Sequence, residues 1–181
     1  MIPKLAFVPV IAGAMILSID YAASQVGAAP GVPEKLNAPV GQILALEVQA
    51  TGVQIYECAP TRADPAKFDW SFKAPEAVLF DSDGRRIGKH YAGPTWESDD
   101  GSKVAGEVVA RDDGPDPNAI PWLLLKAKSV AGNGVFGKIE RVQRLQTVGG
   151  KAPDQGCARE NVGAEARVEY KAAYFFYASR S

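Results

Sequence analysis

The chain is 181 residues long, with 20 Lys and Arg against 21 Asp and Glu and a formal net charge of −1 at pH 7. That balance offers no basic stripe to neutralise phosphates, which excludes nucleic acid as a partner. One histidine and two cysteines are too few for zinc or copper sites that draw on two or three such ligands, so neither a metal nor a cofactor is expected.

In chain order, residues 1–28 read as a secretory signal. Lys4 gives a positive start, Leu5 to Ile19 form an uncharged and largely apolar run, and small residues allow cleavage after Ser24 or Ala28. The run is shorter than the ~20 residues of a spanning helix, and nothing later is long and apolar enough to cross a membrane. An exported chain, periplasmic or extracellular, with no membrane span after cleavage is therefore expected. Residues 29–41, rich in Pro, Ala and Gly, read as a flexible lead-in, and 42–181 as a single β domain.

Within that domain the apolar residues recur with the period of strands. "QILALEVQ" (42–49) and "VQIYECA" (53–59) are expected to form a hairpin around Thr51-Gly52. "EAVLFDSDGRRIGKHY" (76–91) splits around Asp81 to Gly84, and "PTWESDDGSKVAGEVVA" (94–110) around Asp100-Gly101. "IPWLLLKAKSV" (120–130) is dense enough to be buried on both faces. "KIERVQRLQ" (138–146) is ambiguous, since Ile139, Val142 and Leu145 recur every third residue; it reads as a short helix or a bulged strand. "RVEYKAAYFFYAS" (167–179) places Val168, Tyr170, Ala172, Tyr174 and Phe176 on one face. The fold class that follows is all-β, an antiparallel sandwich or partly open barrel of about eight to ten short strands.

Cys58 and Cys157 are expected to pair, because an even number of cysteines in an oxidising compartment favours a disulfide. Closing a loop of about 100 residues would stabilise the fold by roughly 4–5 kcal/mol on the chain-entropy model.

The blocks "QIYEC", "HYAGPTWE", "DGSKVAGEVVA", "IPWLLLKA", "QRLQTVGG" and "RVEYKAAYFFY" resemble, in this order, those of domain-of-unknown-function family 3455. The resemblance covers about residues 40–177 and implies export from a bacterium or filamentous fungus, with no established activity. Some fungal relatives carry a malate dehydrogenase label, which makes "GNGVFG" (132–137) worth weighing, since it fits G-x-G-x-x-G. It falls late in the chain, in a β-rich context without the strand–helix–strand succession that places a pyrophosphate on a helix N-terminus. It reads as a glycine-rich turn.

"HYAGPTWESDDGS" (90–102) holds the single histidine. If the strands on either side of Gly93-Pro94 pair, His90 lies near Trp96 or Glu97. A histidine beside a carboxylate is either an acid/base pair or a hydrogen-bonded strut. Among the aromatics, Trp70 and Trp122 are assigned to the core, and Trp96 is expected to be partly exposed. The clusters Asp81/Asp83, Asp99/Asp100 and Asp112/Asp113/Asp116 lack EF-hand spacing and read as turns, and Ser102 lacks the nucleophile-elbow glycines. The leading reading is a binding module for a carbohydrate or other small molecule, with ligand contacts from His90, Tyr91, Trp96, Glu97 and Arg144. The second is a hydrolase or isomerase using His90 and Glu97 as acid and base, and the third a purely structural envelope protein.

Overall fold

The computed structural model describes residues 31–180; the expected signal segment, 1–28, lies outside them. Eight strands form one closed antiparallel ring in sequence order. They are β1 (Gln42–Pro60), β2 (Phe68–Phe80), β3 (Arg86–Tyr91), β4 (Thr95–Ser98), β5 (Lys103–Asp112), β6 (Trp122–Ala131), β7 (Arg141–Gly149) and β8 (Glu165–Ser179). The ring is uneven, with 19 residues in β1 and 4 in β4. Ring closure is made by β8, which pairs with β1 from Gln42↔Ser179 to Glu57↔Glu165. The all-β expectation holds, and closure removes the exposed edges an open sheet would have to protect.

The turns at Asp81–Arg85 and Asp99–Ser102 fall where their residues place them. Asp81 Oδ1 accepts from the backbone N–H of Asp83 and Arg85, and Gly84 and Gly101 have positive φ. Between Thr51 and Gly52 the expectation fails, because β1 runs straight through with no turn. Gly52 serves close approach instead. It sits opposite Ala77 and Tyr170, and a Cβ there would fall 2.1 Å from the Glu76 carbonyl oxygen. The ambiguous segment resolves as a strand, with a break in register between Leu145 and Val148 and a positive φ at Gln146. The spacing by three arises because Ile139 enters the ring from the preceding loop, Val142 faces the interior from the strand and Leu145 faces outward against Leu36.

Strand alternation sends one set of side chains into the ring. At the end formed by the β2–β3, β4–β5 and β6–β7 turns, the interior is filled by Val48, Leu79, Val104, Leu125, Val142 and Phe176, with Phe136 and Ile139 inserted from the β6–β7 loop. The "GNGVFG" segment is that plug. Asp100 Oδ2 accepts from the Val135 N–H, and Ser102 Oγ accepts from the Phe136 N–H. Gly134 passes so close that a Cβ would lie 2.1 Å from the Asp100 carboxylate. Asp100 is held down at about 2, chiefly by the Ser102 hydroxyl and then by the Val135 amide.

Outside the ring, Leu36 packs on Leu124 and Leu145, and the Gln143 side-chain amide donates to its carbonyl. Part of the stretch read as lead-in therefore lies against the barrel, in a single 3-10 turn at Glu34–Leu36. Cys58 and Cys157 are disulfide-bonded across a separation of 99 residues. The bond ties the end of β1 to the loop between β7 and β8.

Gly52→Ala is expected to lower the unfolding free energy by about 2 kcal/mol or more, measured by urea titration. A loss below about 0.5 kcal/mol would contradict the close strand approach.

Candidate functional site

The other end of the ring is not filled. A cavity of about 650 Å³ opens there, lined among others by Gln54, Tyr56, His90, Trp96, Arg144 and Tyr174. Each arrives by alternation along its strand. Register places His90 directly opposite Trp96 across β3 and β4, and Arg144 between Leu123 of β6 and Tyr174 of β8. The Ala92–Pro94 connection, which contains a cis Gly93–Pro94 peptide, forms part of the rim.

His90 and Trp96 lie at the floor, 2% and 1% exposed. Their rings stack with centroids 4.5 Å apart and planes 11° from parallel. Tyr174 meets both edge-on, at 5.2 Å from His90 and 5.3 Å from Trp96. Trp96, expected to be partly exposed, is thus an interior residue, because its strand turns that face inward. Trp70 and Trp122, assigned to the core, are half-buried, and Trp70 Nε1 donates to the Gln155 carbonyl at 2.8 Å.

His90 Nδ1 lies 2.9 Å from the Thr95 carbonyl oxygen. That acceptor requires the proton on Nδ1 and leaves Nε2 as a lone-pair acceptor. Burial, the largest cause, lowers the imidazole to about 3, and the positive charge of Arg144 pushes the same way against the Thr95 hydrogen bond. His90 is therefore neutral across the physiological range.

Tyr91 and Glu97 point to the opposite face of the sheet. Tyr91 donates its hydroxyl hydrogen to Glu97 Oε2 at 2.7 Å, and Lys89 and Lys103 flank the carboxylate at 3.4 and 3.5 Å. The Tyr91 hydrogen bond, followed by Lys103 and Lys89, holds the Glu97 carboxyl below its usual range. The structure brings together His90, Trp96 and Arg144 and separates them from Tyr91 and Glu97. His90 and Glu97 therefore face opposite sides of the sheet and do not form a hydrogen-bonded pair.

Sequence reasoning missed Gln54, Tyr56 and Tyr174 as site residues. Gln54 is a polar side chain at an inward position of β1, and that mismatch was the available signal. Tyr56 donates to the Gly150 carbonyl at 2.6 Å, which fixes the β7–β8 loop at the rim. Trp96 Nε1 is buried with no hydrogen-bond partner among the described residues, and the buried side chains of Gln54, Tyr170 and Tyr174 interact in a chain that ends at Arg144. Unpaired buried polar atoms are costly in a folded protein. Desolvation raises the phenols of Tyr170 and Tyr174 well above the usual tyrosine range.

Among the described residues no cluster of three or more His, Cys, Asp or Glu side chains is placed to hold a metal ion. No helix among them is long and apolar enough to cross a membrane.

The structure is that of a closed, antiparallel β ring with a plugged end and an open cup. The chain belongs to the family described as Protein of unknown function (DUF3455), whose family model matches residues 39–178. No curated protein and no solved structure matches it.

The single histidine permits a clean test of the cup floor. Between pH 6.5, the ordinary value, and about 3, the unfolded chain binds a proton that the folded chain refuses. Stability therefore falls as pH falls through this window. Urea titrations at pH 7 and pH 5, above the carboxylate range, are expected to differ by about 2 kcal/mol. In His90→Phe the difference should fall below about 1 kcal/mol. The remainder comes from glutamates such as Glu97 that are held below their ordinary range. An unchanged wild-type stability between the two pH values would contradict a buried neutral His90.

Proposed function

We propose that this is an exported protein whose barrel interior binds a small, largely apolar molecule. The observation that carries the reading is the cavity of about 650 Å³ at one end of a barrel packed solid at the other. Its size falls within the ~300–1,000 Å³ of small-molecule sites. Eight strands are also the number at which a barrel interior is just wide enough for one small ligand. Walls from Phe72, Pro75, Val108, Ile120, Leu123 and Leu125 supply the driving force for an apolar body. The polar side chains among the lining, Gln54, His90 and Arg144, supply orientation.

Export is supported by the disulfide, which belongs to an oxidising compartment, and by the apolar run near the N-terminus. A sugar fits the cup less well. Hydroxyl recognition beside an aromatic face ordinarily uses carboxylates, and no Asp or Glu among the described residues lines this cavity.

The neutral probe N-phenyl-1-naphthylamine, whose fluorescence rises in apolar surroundings, tests the reading. The wild type is expected to bind it at one site. Leu123→Trp, which fills the cup, should weaken binding about tenfold or more while the protein still unfolds cooperatively. Absence of binding, or binding indifferent to Leu123→Trp, would overturn the proposal.

A further inference from the structure

The basic side chains at the cup differ in how their charge is answered. Lys73 is paired with Glu57 at 2.8 Å and Glu165 at 2.7 Å, and Arg111 with Asp113 at 3.3 Å. Lys151 donates to the Pro117 carbonyl. Arg144, on the inward face of β7, has no carboxylate within ion-pair distance among the described residues. The Pro121 carbonyl accepts its Nε–H at 3.0 Å and its Nη2–H at 2.8 Å, and the Tyr174 hydroxyl lies close enough to be held by the same guanidinium. A guanidinium carries five N–H donors in a planar fork, so capacity remains for a further acceptor.

Its field reaches the whole floor. The charge of Arg144 acts on His90, Tyr56, Tyr170 and Tyr174. Close beside it, a buried polar chain of Gln54, Tyr170 and Tyr174 runs up to the guanidinium, and Gln54 and Tyr174 line the cavity. Among the described residues the charged side chains lining the cavity are all basic, so the net charge facing it is positive. A neutral or cationic guest would leave a half-buried guanidinium uncompensated, which is costly. A carboxylate, sulfonate or phosphate monoester would accept from the fork and from the neighbouring donors together. The apolar wall around Leu123, Leu125 and Ile120 then takes the remainder of the molecule.

We infer that Arg144 anchors an anionic head group, so that the ligand of the cup is an amphiphilic organic anion. This rests on the reading of the cup as a ligand site and names the class of ligand it takes. Two probes with the same ring system separate the two propositions. N-phenyl-1-naphthylamine is neutral, and 1-anilinonaphthalene-8-sulfonate adds only the sulfonate.

Wild-type protein is expected to bind the sulfonate at least about tenfold more tightly than the neutral probe. In Arg144→Gln the preference should fall to within about twofold, with the affinity for the neutral probe unchanged. Arg144→Lys should retain part of it, since charge remains and the fork is lost. Arg111→Gln and Lys151→Gln should leave it intact. Gln54→Leu, which removes a donor from the cup at constant charge, should weaken the sulfonate alone, by about threefold. It also serves as the decisive variant if Arg144→Gln does not unfold cooperatively.

Equal wild-type affinities for the two probes would overturn the anchor while leaving the cup as a ligand site. So would a preference that survives Arg144→Gln, or one lost in Arg111→Gln instead. An unchanged sulfonate affinity in Gln54→Leu would count against the anchor in the same way. Failure of both probes to bind would overturn the cup as a ligand site, and the anchor with it.

Discussion

The pairing of β8 with β1 is the constraint on which the rest depends. With the ring open, the inward faces of β1, β7 and β8 would belong to a sheet surface, and Gln54, Arg144 and Tyr174 would face water. Closure turns that surface into an interior. The long ladder from Gln42↔Ser179 to Glu57↔Glu165 makes closure robust, and the Cys58–Cys157 bond reinforces it at the cup end. Gly52 belongs to the same economy. Lacking a side chain, it lets β1 approach β2 closely midway along its length.

Closure also explains why the interior has two characters. A barrel of this width can be filled by its own side chains or left open for a guest. Here the β6–β7 loop drives Phe136 and Ile139 into one end. The opposite end is floored by the His90–Trp96 stack and left open above it. The floor combines a neutral histidine, buried phenols and a guanidinium that no carboxylate answers. Such an arrangement is a poor choice for stability alone, since apolar residues of similar volume would leave no polar atom unpaired. It is a reasonable choice for a surface that must receive acceptors from outside the chain.

Much of the fold was legible in the sequence. In β8 Val168, Tyr170, Ala172, Tyr174 and Phe176 share one face because that face meets the interior along the strand, while the other face turns from the exposed Glu169 and Lys171 to the buried Ala173 and half-buried Phe175. The aspartate–glycine turns at 81–85 and 99–102 were legible because their chemistry is local. Gly52 misled because glycine answers two needs, positive φ and close approach, and only the partner strand tells them apart. At the site, the hairpin left His90 near either Trp96 or Glu97, and the register settles on Trp96. Which face of that hairpin is interior depends on ring closure, which no local pattern encodes. Trp96 was therefore placed partly outside, and Tyr91 and Glu97 were grouped with residues on the other side of the sheet. Nothing around Arg144 in sequence distinguishes it from Arg141; its distinction is the absence of a counter-charge among the described residues of the barrel.

The central claim is that guests enter the cup and come to rest on its floor, and the single histidine offers a reporter confined to that floor. With the protein labelled with ¹⁵N-histidine and titrated with N-phenyl-1-naphthylamine, the ring nitrogens of His90 can be followed by NMR. The expected result is an Nδ1-protonated neutral imidazole whose Nε2 resonance moves in step with the probe's fluorescence and saturates with it. Saturating fluorescence with an unmoved His90 would place the probe elsewhere on the protein and contradict the claim.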